Sequence, residues 1–153
     1  MQRIRSLFID HPAHFAFGLV ILMWLLSTVA WVQNTPTALT TPSTYDIFPV
    51  FGLLGFSALL TTYVVNAVST YWKVPHEKLA AFYQNIGYAI LILILAHPTA
   101  LLVRLFMDGF GLPPSSYGAY VSADYVWVVW LGTISLFVFM AFELHRWFSR
   151  RGW

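Results

Sequence analysis

Four apolar runs, each about twenty residues or longer and almost free of charge, dominate the sequence. They fall roughly at 12–32, 47–71, 77–107 and 123–147. A segment that crosses hydrocarbon must satisfy its own backbone N–H and C=O groups, so runs of this length dictate helices. The chain of 153 residues is 59% hydrophobic and only 9% charged, where a soluble domain carries roughly 25% charge. The expected fold is all-α: one integral membrane four-helix bundle occupying residues 1–153, with the lipid bilayer as its first partner. A net charge of +2 and the lack of a basic patch interleaved with aromatics point away from nucleic acid. With no cysteine, thiol catalysis, disulfides and thiolate ligation of haem or iron–sulfur clusters are excluded.

The cationic residues predict a direction. Arg3 and Arg5 precede the first span, Lys73 and Lys78 separate the second from the third, and Arg146, Arg150 and Arg151 close the fourth. Seven of the eight Lys and Arg residues therefore share one side, which the positive-inside rule makes cytoplasmic. Both termini are expected inside, and the expected location is the plasma membrane, multi-pass. Arg3, Arg5, the apolar stretch 18–26 and Thr28-Val29-Ala30 also have the outline of a cleaved signal peptide. The long segment before the apolar run favours a retained span. The loops 34–44 and 109–118 are rich in Pro, Gly, Ser and Thr.

His97 is the one histidine placed deep in a span, within Ile86-Gly87-Tyr88-Ala89-Ile90-Leu91-Ile92-Leu93-Ile94-Leu95-Ala96-His97-Pro98. About nineteen residues separate it from the start of the third span, or ~28 Å of helix, which sets it in the outer half of the bilayer. An imidazole at that depth must ligate something, line a cavity or bond a protein group. Arg104 follows at i+7 and shares its face, as does Tyr83 fourteen residues earlier. A haem accounts for both residues: His97 as axial ligand to the iron, Arg104 as partner of a propionate. The simpler alternative has His97 bonding a backbone carbonyl near a Pro98 kink and Arg104 reaching the outer headgroups. A proton or ion path is the third reading, and it lacks an intramembrane carboxylate, since Asp108 and Glu143 lie at span ends.

No other histidine completes a site with His97. His11, His14, His76 and His145 all fall at the inner side, on the order of 20 Å or more away by helix rise. Asn66, Gln84 and Asn85 add polarity at the inner ends of the second and third spans. Gly52, Gly55 and Ser57 suit close helix packing, and many of the seven Trp and eight Tyr residues lie near span ends, where an interfacial belt belongs.

Gly87, ten residues before His97-Pro98, together with Phe51-Gly52-Leu53-Leu54-Gly55 and the basic, Trp-containing Leu144-His145-Arg146-Trp147-Phe148-Ser149-Arg150-Arg151-Gly152-Trp153, resembles the ferric reductase-like transmembrane domain family from the second span to the fourth. That family carries two stacked haems, and its third helix places a first His four residues before the Gly. Tyr83 stands at that position, so the resemblance implies a single b-type haem, the outer one, held by His97. It also implies a second axial ligand from a fifth helix, which these residues do not include. The expected function is a membrane-embedded haem b protein for transmembrane electron transfer. A second copy or another membrane subunit would supply the second ligand. The alternatives are a non-catalytic membrane subunit or scaffold of a larger complex, and a small transporter.

Overall fold

The computed structural model describes residues 8–35, 39–41 and 43–149. Arg3, Arg5, Arg150 and Arg151 lie outside them, as do the side chains of Glu143, Arg146 and Trp147. Every described regular element is helical: α1 (Pro12–Asn34), α2 (Thr44–Tyr71), α3 (Ala80–Met107, entered through a 3-10 turn at His76–Leu79) and α4 (Val126–Ser149). A single turn at Tyr117–Tyr120 and a 3-10 turn at Ala123–Tyr125 precede α4. Among the described residues, three helices are long and apolar enough to cross a membrane: Pro12–Asn34, Thr44–Tyr71 and His76–Met107. The apolar part of α4 runs over Val126–Phe142. By contact the chain divides into two compact units, one ending at Arg104 and one beginning at Leu105.

The helix ends have local causes. Pro12 opens α1 at a position whose N–H would have no intrahelical acceptor in any case. α2 starts at Thr44, three residues before the apolar run becomes obvious, because Ser43 and Asp46 form a capping box. The Ser43 hydroxyl accepts the Tyr45 N–H at 3.2 Å, and the Asp46 carboxylate accepts the Ser43 N–H at 3.1 Å. After α2, the Val74 N–H returns to the Ser69 carbonyl at 2.8 Å and Lys73 takes a left-handed φ of 54°. Helix C-termini usually give that position to glycine. Pro75 then precedes the 3-10 turn.

Within the first unit, two indoles fix the antiparallel register of α1 on α2. Trp24 Nε1 donates to the Leu54 carbonyl and Trp31 Nε1 to the Asp46 carbonyl, each at 3.0 Å. The donors are seven residues apart and the acceptors eight, so successive turns of the two helices are matched. These two tryptophans are inter-helix donors in addition to any interfacial role. The core gathers Ala16 and Val20 of α1, Ala58 and Val65 of α2, and Leu79, Phe82, Ile86 and Ile90 of the third span, with Phe8 below. Phe82 meets Phe17 edge-on at 5.2 Å, and Phe8 meets Trp72 at 5.2 Å. The outer surfaces are equally apolar: Leu25, Phe56 and Ile92 are each more than 60% exposed. Large side chains of this kind facing outward suit a hydrocarbon surround rather than water.

In the second unit, Tyr117 links the turn before α4 to α4. Tyr117 is buried, shares a 3.0 Å hydrogen bond with the Thr133 hydroxyl of α4, and packs edge-on against Trp130.

The capping box yields a stability prediction. Ser43→Ala should cost about 1 kcal/mol. Hydrogen exchange should show faster exchange of the Tyr45 and Asp46 amides, with the amides of α3 unchanged.

Candidate functional site

The site is built on the facing surfaces of α2 and α3. His97 belongs to the buried side of α3, in line with Ile86, Ile90 and Leu101. Its Nδ1 lies 2.9 Å from the Phe48 carbonyl oxygen of α2. A carbonyl only accepts, so Nδ1–H donates, and in the neutral ring the lone pair is on Nε2. The Phe48 ring lies 5.1 Å from the imidazole, tilted by 37°. Directly beneath the ring is Gly52: a Cβ built there would fall 2.8 Å from Nδ1. One turn further along, Gly55 lies against Leu93 and Ile94, so two glycines let the helices close together.

Prolines mark both walls. Pro49 lies inside α2 and Pro98 inside α3. Each lacks an N–H, so neither can donate the helical hydrogen bond to the residue four positions earlier. Arg104, two turns beyond His97, places its guanidinium 5.7 Å from the centre of the Tyr45 ring. Such a contact stabilises by roughly 0.5–2 kcal/mol, depending on desolvation. The pairs Tyr45–Arg104 and Phe48–His97 thus align across the antiparallel interface, one aromatic residue of α2 for each cationic or imidazole side chain of α3.

The structure brings His97 and Arg104 to one face, as their spacing predicts, and engages both with α2. The carbonyl that receives His97 belongs to the facing helix, not to the turn around Pro98. Tyr83 lies fourteen residues toward the other end of α3, ~21 Å from His97 along the axis. There it stacks on His76 at 5.1 Å and 19°, and its hydroxyl is buried with no hydrogen-bond partner. His11 and His14 are exposed and touch edge-on at 5.9 Å. His145 is exposed on α4. Among the described residues no three His, Cys, Asp or Glu side chains form a metal-binding group. Asn66, Gln84 and Asn85 are exposed and line no path between α1, α2 and α3.

Sequence reasoning placed Gly52 in helix packing and His97 in a possible site, but it did not join the two. Tyr45, Phe48 and Pro49 went unread. The signal was there: in an antiparallel pair, positions with a constant sum of residue numbers face each other. The pairs 45/104, 52/97 and 55/94 each sum to 149.

Among the described residues every regular element is helical, and three helices are long and apolar enough to cross a membrane. No protein-family model matches the chain, nor does any curated protein or solved structure.

The unpartnered Tyr83 hydroxyl yields a second prediction. A buried polar group without a partner destabilises by about 1–3 kcal/mol. Tyr83→Phe should therefore leave the melting temperature of the detergent-solubilised protein unchanged or raise it. A clear fall would mean that the hydroxyl has a partner in the membrane.

Proposed function

We propose that this chain is a membrane-embedded electron-transfer protein that holds a b-type haem through His97, related to the ferric reductase-like family. The observation that carries the reading is the Nδ1–H bond from His97 to the Phe48 carbonyl. Histidines that ligate metals characteristically donate their other ring N–H to a carbonyl or carboxylate, which fixes the ring and strengthens the ligating nitrogen. His97 fits that role: its Nδ1 is engaged, leaving Nε2 to meet an iron. The haem, when bound, would supply one-electron redox chemistry at a potential set by its ligands.

The chain's own residues have separate tasks in this reading. Gly52 and the Phe48 carbonyl orient His97. Arg104, whose guanidinium lies over the Tyr45 ring, is the proposed partner of a propionate. Tyr83 occupies the position where the family has an inner histidine, so one haem is proposed rather than two. The second axial ligand is assigned to another copy or another membrane subunit, and the plasma membrane is the proposed location. Electrons would pass from an inner or quinone donor toward the outer side.

A non-catalytic membrane subunit is the rival reading. The same Nδ1–H bond supports it when taken alone, because a structural histidine needs nothing more than a buried carbonyl.

The two readings separate in a reduced-minus-oxidised visible spectrum of the full chain, expressed with a haem supply. The haem reading predicts a sharp α-band of the b type that His97→Ala abolishes while the helical circular dichroism persists. A flat spectrum from folded wild-type protein would contradict it and leave the scaffold reading in its place.

A further inference from the structure

We infer that Gly52 is a positioning residue for His97, and that its missing side chain holds the imidazole in the tautomer whose lone pair is on Nε2. A Cβ at position 52 would lie 2.8 Å from Nδ1, 3.0 Å from Cε1 and 3.1 Å from Cγ of His97. Contacts shorter than 3.0 Å force a shift, and here the obstacle is a ring that turns about its own side-chain torsions. The nearest ring atom is Nδ1, the one that donates to the Phe48 carbonyl at 2.9 Å. Displacing the ring therefore disturbs this hydrogen bond before any other contact. Once the bond is lost, nothing else described on α2 requires the proton to sit on Nδ1, and both neutral tautomers become accessible.

Gly55 supplies an internal control. It belongs to the same α2–α3 interface, one turn away. A Cβ there would meet Leu93 Cβ and Ile94 Cγ1 at 3.3 Å, and its three nearest atoms all belong to Leu93 and Ile94 rather than to His97. Gly55→Ala crowds Leu93 and Ile94, whereas Gly52→Ala presses on the His97 ring itself.

A consequence for redox potential follows, and it rests on the haem reading. Donation from Nδ1–H to a carbonyl makes Nε2 a stronger donor, which favours ferric over ferrous iron. Loss of the bond should raise the midpoint potential.

The test uses the full chain in detergent, labelled with 15N-histidine. The His97 ring signals are assigned by their disappearance in His97→Ala. Wild type is expected to show a single tautomer with the proton on Nδ1. Gly52→Ala should shift His97 to a mixture of tautomers, and Gly55→Ala should leave it as in wild type. In haem-loaded protein, Gly52→Ala should raise the midpoint potential and Gly55→Ala should not. An unchanged His97 signal in Gly52→Ala, or an equal change in Gly55→Ala, would overturn the inference. If Gly52→Ala does not fold, the wild-type spectrum decides, because a proton on Nε2 there is incompatible with the assignment. Wild-type protein that takes up no haem defeats the proposed function and leaves the tautomer measurement standing.

Discussion

The hydrogen bond from His97 Nδ1 to the Phe48 carbonyl is the contact on which the α2–α3 interface turns. In hydrocarbon an imidazole without a partner is expensive, and a helix offers few acceptors because its carbonyls are already engaged. The structure meets both constraints at once. The Phe48 carbonyl of α2 accepts the hydrogen bond from Nδ1–H, and a glycine at 52 removes the side chain that would keep the ring away. Gly55 repeats the close approach one turn further on, against Leu93 and Ile94. Arg104 completes the face by settling over Tyr45.

The α1–α2 interface works by the same physics with different residues. Trp24 and Trp31 each bring one N–H to a carbonyl of α2, at Leu54 and Asp46. In all three cases a side-chain N–H is satisfied by a backbone carbonyl of α2, so α2 acts as the acceptor rail for both neighbours. Hydrogen bonds of this kind fix register, while the aliphatic contacts around Val65, Ala58 and Ile90 supply most of the packing. At the far end, Tyr83 keeps an unpartnered hydroxyl under the His76 ring. A chain that spends acceptors carefully elsewhere leaves one donor unmatched at this end.

Much of the fold was legible because hydrocarbon imposes a single length scale. The apolar runs located α1, α2 and α3 to within a few residues, and the errors have local causes. Ser43 and Asp46 cap α2 earlier than hydropathy indicates, because the capping signal is polar and lies in what reads as a loop. His97 and Arg104 could be placed on one face from their spacing alone. What they face could not, because apolar helices carry little pairing information until one register is fixed. The Trp24 and Trp31 bonds fix it for α1 on α2, but tryptophan near a span end also reads as an interfacial anchor. Phe48 contributes its backbone carbonyl and Gly52 contributes an absence, and neither type of contribution is marked by residue identity.

The most direct test of the account is pulsed EPR of the oxidised protein carrying 15N-histidine in an otherwise 14N background. A haem ligated by His97 predicts that hyperfine coupling to a histidine ring nitrogen accompanies the porphyrin nitrogens, and that this coupling vanishes in His97→Ala. Haem bound with no coupling from His97, or with coupling that survives the substitution, would contradict it.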